Sequence, residues 1–244
     1  MKYLFFDIEC ANPRFNSICT FGYVLTDEFF TIIDQRDILI NPETGYDKYV
    51  VKNILHYPVE LLNAQMPFPC FYDEIRAMMS DDDTVVFGFS ISNDIRFLNE
   101  TCIRYRLPAL NYTFFDVQKL FGDYAKVSDQ AGIEKAYEVL SLGKPEIVHR
   151  SDEDARATME ILKALVAISG ETSIEFLAKK SECSGTNQGF IETWNIQGKE
   201  PINHKKNHYK TLMLRAKKRK EAKMKKEAQE NNDTPVTQDV GTHD

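Results

Sequence analysis

Apolar residues come in short runs at the start of the chain and give way further on to runs with helical spacing. Residues 3–8 form an aromatic and β-branched run that predicts a buried strand, and residues 17–25 and 31–39 predict two more. Thr26-Asp27-Glu28 between the latter two reads as a hairpin turn, so the first three strands form an antiparallel meander, closed by Asn41-Pro42-Glu43-Thr44-Gly45. From here strand and helix alternate. Residues 71–79 place Phe71, Ile75, Met78 and Met79 at helical spacing, and residues 84–89 make an apolar strand after the Asp81-Asp82-Asp83 break. Residues 93–105 predict a helix with Ile95, Leu98, Cys102 and Tyr105 on one face. Residues 112–117 are the fifth strand, and helices over 132–140 and 151–168 complete the body, the second stopped by Gly170. The prediction is an α/β domain over residues 1–170, a mixed five-stranded sheet with helices on both faces.

After Gly170 periodicity fades. Residues 171–204, with the lone Trp194, are expected to form an irregular extension or linker; residues 205–230 predict a charged helical tail, and 231–244 a disordered acidic terminus.

Charge changes the picture more than its total suggests. The net −7 over 244 residues hides +10 in residues 205–226, which hold eleven Lys/Arg against one acid, and −5 in residues 227–244, leaving −12 on residues 1–204. An acidic body repels nucleic acid, so any such partner must meet a local site, a metal ion or the tail. Lys217, Lys218, Arg219 and Lys220 are the densest part of that tail and would serve as a salt-sensitive handle on nucleic acid. A solvated, partly helical extension and a docking segment for a polymerase or another protein are the other readings of the tail. The five cysteines are scattered without a Cys-x-x-Cys pair, which argues against a zinc site or disulfide framework and fits a reducing compartment. With no signal-like start and no membrane-length apolar run, a cytoplasmic location without a membrane partner is expected.

Three places carry chemistry. Asp7 and Glu9 stand two apart at the end of the first strand, so both side chains point to one face, where they repel unless a cation lies between them. Carboxylate oxygens suit Mg²⁺ or Mn²⁺. Asp94 follows a buried strand in Phe87-Gly88-Phe89-Ser90-Ile91-Ser92-Asn93-Asp94 and falls in the first turn of a helix, with Asn93 as an alternative cap. In His149-Arg150-Ser151-Asp152-Glu153-Asp154, Ser151 and Asp154 have the spacing of a capping box, which leaves His149 on the preceding loop and Asp154 in the first turn. Asp152 and Glu153 read as solvated acids, with Asp152 a rival ligand. Each motif alone is compatible with ordinary helix-end or strand-end electrostatics. Asp116 ends the fifth strand and reads as a helix cap, while His204 and His208, four apart among lysines, read as solvated or phosphate-contacting.

Taken together, strand Asp-x-Glu, a helix-start Asp, then His, four residues and Asp resemble the DEDDh exonuclease superfamily, which includes the proofreading subunit of the bacterial replicative polymerase, RNase T and oligoribonuclease. The resemblance covers residues 1–168; Phe6-Asp7-Ile8-Glu9-Cys10-Ala11-Asn12 with Arg14, Ser17, Cys19 and Gly22 is similar to stand-alone bacterial members. It implies an RNase H-like fold and a 3′→5′ exonuclease acting on single-stranded DNA or RNA ends to release nucleoside 5′-monophosphates. Asp7, Glu9, Asp94 and Asp154 would hold two divalent ions, Mg²⁺ or Mn²⁺, roughly 3.5–4 Å apart, with His149 as general base. Cys10 and Asn12 would contact the terminal nucleotide. Two departures stand out: Cys10 replaces the common Thr, and the second motif lacks the usual His-Asn and Phe before its Asp.

Overall fold

In the computed structural model the described residues are 1–126, 131–145 and 149–196. The calls on Lys217, Lys218, Arg219, Lys220, His204 and His208, and on the basic and acidic segments of the tail, lie outside them.

The chain begins with β1 (Lys2–Cys10), β2 (Ile18–Asp27) and β3 (Ile32–Leu39), the expected antiparallel meander. The hairpin turn lies slightly later than expected, because Thr26 and Asp27 stay in the strand while the Asp27 carboxylate accepts the Phe29 and Thr31 backbone N–H groups. Two short helices, α1 (Lys48–Asn53) and α2 (Val59–Asn63), precede α3 (Tyr72–Met79) and β4 (Thr84–Gly88). Then come α4 (Ser92–Tyr105), β5 (Thr113–Asp116), α5 (Val117–Ala125), α6 (Ile133–Val139) and α7 (Ser151–Ser169). Gly170, at φ 71°, ends α7 in the left-handed conformation that a glycine adopts without strain.

The segment after Gly170 corrects the expectation of an irregular extension. It forms α8 (Ser173–Ala178), β6 (Ser184–Thr186) and α9 (Asn187–Thr193). β6 pairs antiparallel with β5, so the sheet has six strands, not five, in the order β3-β2-β1-β4-β5-β6. Phe176, Leu177 and Cys183 of this segment join the hydrophobic core, and a polar anchor is added to them: Asn99 and Asn187 exchange side-chain hydrogen bonds of 2.7 and 3.2 Å, and Asn187 also donates to the Leu110 carbonyl at 2.6 Å. Buried amides satisfied in this way leave no apolar periodicity to read.

β1 lies inside the sheet, antiparallel to β2 and parallel to β4, and its Tyr3, Leu4, Phe5 and Phe6 are fully buried. One face carries Tyr3, Phe5, Val24 and Phe87 against Leu120 and Phe121 of α5, Tyr137 of α6 and Ile161 and Leu162 of α7. The Phe5 and Phe87 rings stack at 4.9 Å. α3 and α4 cover the other face. The apolar anchoring of β1 matters because its last turn of pleat is acidic: packing over residues 3–6 offsets the cost of carrying carboxylates into a half-buried crevice.

Candidate active site

Asp7 and Glu9 project from the C-terminal end of β1 toward the face covered by α7. Across the sheet, Asp7 is paired with Gly22 of β2, and Gly22 with Asp37 of β3, so these three residues form one row on that face. Gly22 is the gap in the row. A β-carbon there would lie 2.0 Å from the Ser151 carbonyl carbon and 2.1 Å from the Asp152 nitrogen. The bare backbone therefore lets the first turn of α7 rest directly on the sheet beside Asp7, which carries Asp154 to the same crevice.

Asp94 arrives from the opposite direction. β4 pairs with β1 only as far as Phe5, so the Ile8 N–H on that edge has no strand partner; the Asp94 carboxylate accepts it at 3.2 Å. The chain reaches this position through a tight turn after Gly88, in which Ser90 has φ 57° and its N–H donates to Asp116 at 3.1 Å. Asp116 also accepts the Gln118 N–H at 3.0 Å, the helix-capping role expected of it. Asn93 is exposed in the first turn of α4 and does not cap it; Ile91 occupies that position without a side-chain bond.

The start of α7 differs from the expected capping box. Ser151 is the first helical residue, but its hydroxyl faces the sheet, bonded to Thr20 and donating to Asp37 at 3.3 Å. Asp154 instead reaches back to accept the His149 N–H at 2.9 Å. That bond holds His149 at φ 67°, a conformation a histidine tolerates but does not prefer. The imidazole is half-exposed, with Nδ1 3.8 Å from Glu9. Asp152, expected to be solvated or a rival ligand, is buried and gripped by the Arg150 guanidinium through bonds of 2.7 and 2.8 Å. This pairing commits it to Arg150.

The geometry thus brings Glu9, His149 and Asp154 together, with Asp7 close enough to repel both Glu9 and Asp94, and Asp94 held against the end of β1. One ligand atom from each of Glu9, His149 and Asp154 lies within 4.8 Å of the others. Burial, then repulsion from Asp154 and Asp37, raises Asp7 well above the usual carboxylate range. Burial, then Asp7 and Asp154, pushes Glu9 up to about 9. Asp94 is raised by burial and by Asp7 and Glu9, and Asp154 rises to about 6, mainly through burial. These are the electrostatics of carboxylates assembled without countercharge. One acceptor, Asp154 Oδ1, is buried without a hydrogen-bond partner among the described residues. An orphan oxygen facing clustered acids is a place for a cation, and the all-oxygen set with one imidazole fits Mg²⁺ or Mn²⁺.

Cys10 and Asn12 follow at the rim. Burial raises the Cys10 thiol. Asn12 is tied into its own loop, donating to the Gly45 carbonyl at 2.6 Å and accepting the Arg14 N–H at 3.0 Å. Two residues that the sequence reading missed complete the surroundings. Asp37 accepts hydrogen bonds from Tyr57, at 2.9 Å, and Ser151, and burial lifts it to about 6. Thr20 shares the Ser151 hydroxyl with it. Both seat the first turn of α7.

No family model and no curated relative matches the chain. Among solved structures, the 3′-exonuclease bound to a histone mRNA stem-loop is similar with a TM-score of 0.60 at 17% identity, covering 70% of this chain and 65% of that one. The nuclease domain of 3′hExo, a DEDDh family member bound to rAMP, gives 0.58 at 17% identity over 70% and 92%. This is the fold of the DEDDh exonucleases. Escherichia coli exonuclease I in complex with a dA16 oligonucleotide gives 0.56 at 15% identity, and there the match spans 68% of this chain but only 41% of that one. Among the described residues, no helix is long and apolar enough to cross a membrane.

Proposed function

We propose that this chain is a metal-dependent 3′→5′ exonuclease that removes nucleoside 5′-monophosphates from single-stranded DNA or RNA. The observation that carries the reading is the meeting of Glu9, Asp154 and the loop histidine His149 within 4.8 Å at the end of β1, with the buried Asp154 Oδ1 unpaired among the described residues and Asp7 and Asp94 drawn into the same mutual repulsion. The DEDDh exonuclease fold supports it. Asp7, Glu9, Asp94 and Asp154 would hold two Mg²⁺ or Mn²⁺ ions. When bound, those ions would supply the positive charge that lets a water deprotonate near neutral pH and that offsets charge on the phosphate.

The chain's own groups do the rest. His149, free to swing because it is half-exposed, takes the proton of the attacking water at its imidazole. The water oxygen bonds to phosphorus, the bond from phosphorus to the 3′ oxygen breaks, and that oxygen takes up a proton. The products are a 5′-monophosphate and a strand one nucleotide shorter with a free 3′ hydroxyl. The Asp154 bond to the His149 N–H keeps the histidine loop over Glu9. Acidic walls are no bar to a polyanion once cations lie between them, which reconciles the site with the negative body.

Hydrolysis of 5′-labelled DNA and RNA oligonucleotides tests this directly. Stepwise shortening from the 3′ end should require Mg²⁺ or Mn²⁺ and stop in EDTA; full activity in EDTA sinks the reading. His149→Ala should lower kcat by about 10²–10⁴-fold, the usual worth of a positioned base. Its affinity for an uncleaved oligonucleotide should stay unchanged. A His149→Ala enzyme with wild-type kcat would remove His149 from the mechanism.

A further inference from the structure

α9 ends by laying Trp194, stacked on Phe190 with ring centroids 5.7 Å apart, beside α4. There the Arg96 guanidinium lies 3.7 Å above the Phe15 ring, with the Trp194 ring 5.9 Å away. Phe15 in turn packs on Phe97 at 5.5 Å. Trp194 is 55% exposed, an unusual position for the chain's one tryptophan. The cluster is built on the helix whose first turn carries Asp94. Phe97 is one helical turn beyond Asp94, about 4.5 Å along the axis and on nearly the same face of α4. Phe15 belongs to the loop that leaves β1 just after Glu9 and Cys10.

Resting on the reading above, we infer that Phe15, Arg96 and Trp194 form a stacking platform for an unpaired base of the same strand, upstream of the nucleotide being removed. An exposed indole beside a fixed guanidinium offers a base a flat apolar face and its phosphate a positive charge. In an acidic body this combination favours a single-stranded polynucleotide over an acidic or apolar protein segment: the ring takes any base, and the cation meets the backbone. Phe15 and Arg96 come from the β1–β2 loop and α4, while Trp194 comes from the segment after Gly170, joined to the rest through β6 and the Asn99 and Asn187 pair. Its effect is on length. Strands long enough to reach Trp194 gain affinity, whereas a mononucleotide ester does not touch it.

Trp194→Ala should raise KM for dT12 about tenfold, equivalent to about 1.4 kcal/mol, with kcat unchanged. Hydrolysis of thymidine 5′-(p-nitrophenyl phosphate) should be unaffected, and Trp194→Phe should restore most of the affinity. Separately, the fluorescence of the single tryptophan should be quenched saturably by dT12 and by rU12 in EDTA, the relative midpoints reporting sugar preference. Equal losses on dT12 and the nitrophenyl ester would overturn the platform. So would no loss on either, or no quenching by either oligonucleotide. If the wild-type chain hydrolyses nothing yet is quenched by both, the platform stands and the hydrolase reading fails.

Discussion

Asp7→Asn will abolish hydrolysis and, in EDTA, make the protein more stable than the wild type. Both effects have one cause. Asp7 is half-buried beside Glu9, Asp94 and Asp154; burial raises all four carboxylates, and their mutual repulsion adds to it for Asp7, Glu9 and Asp94. Asparagine keeps the shape and removes one charge. Without it a divalent ion loses a hard ligand and the catalytic charge it brings, several kcal/mol of transition-state stabilisation, so kcat should fall on the order of 10³-fold or more. In EDTA the same change removes repulsion. Each 1 kcal/mol so recovered raises Tm by about 2–4 °C in a domain of this size. Calorimetry of both proteins with and without Mg²⁺ should give opposite orders: wild type gains strongly from the ion, Asp7→Asn little. A metal-free Asp7→Asn less stable than the wild type would mean that the carboxylate is structurally satisfied, not held in wait for a cation.

The pH dependence follows with a definite sign. Glu9 ionises at about 4.5 when unfolded and about 9 in the fold, and Asp154 moves from 3.8 to about 6. Across that window the folded state binds more protons than the unfolded one. The contribution of these two groups to the stability of the metal-free protein is therefore greatest below about pH 4 and declines as pH rises through 6 and toward 9. Mg²⁺ should flatten the decline by supplying the missing charge.

The strand-end pair was legible because period two needs no tertiary information: Asp7 and Glu9 had to share a face once β1 was a strand. His149 and Asp154 were legible as loop and first turn, though the bond between them runs from the Asp154 carboxylate to the His149 backbone and the Ser151 hydroxyl serves the sheet instead. The position of Asp94 depended on where β4 stops pairing with β1, a fact of register absent from any local pattern. Asp37 was illegible for a related reason. β3 is an edge strand with polar residues on both faces, so alternation does not mark Asp37 as inward until its pairing with Gly22 is known. The helices and strand after Gly170 escaped because they are short, with only a few apolar residues each to mark a period, and because part of their anchor is a pair of amides. Phe15, Arg96 and Trp194 meet across segments nearly 180 residues apart, beyond the reach of spacing.

Gly22→Ala should cost the enzyme at least about a hundredfold in kcat/KM, although residue 22 touches neither metal nor substrate. The added β-carbon would sit 2.0 Å from Ser151 C and 2.1 Å from Asp152 N, backbone atoms that no rotamer change can move away. Either the first turn of α7 lifts or β2 bows. Overpacking of this kind costs about 1–3 kcal/mol, visible as a fall in Tm. The functional cost is larger because Asp154 and the His149 loop ride on that turn, and a shift of about 1 Å at reacting groups is worth about 10²-fold. Affinity for dT12 in EDTA should survive, since Trp194 is held by α4 and α9. The loss should also persist at saturating Mg²⁺ or Mn²⁺, because the ligands would be misplaced, not merely weakened. Activity within twofold of wild type would show that the contact between α7 and β2 yields without moving the crevice, and that Gly22 is not what sets the distance between the two halves of the carboxylate cluster.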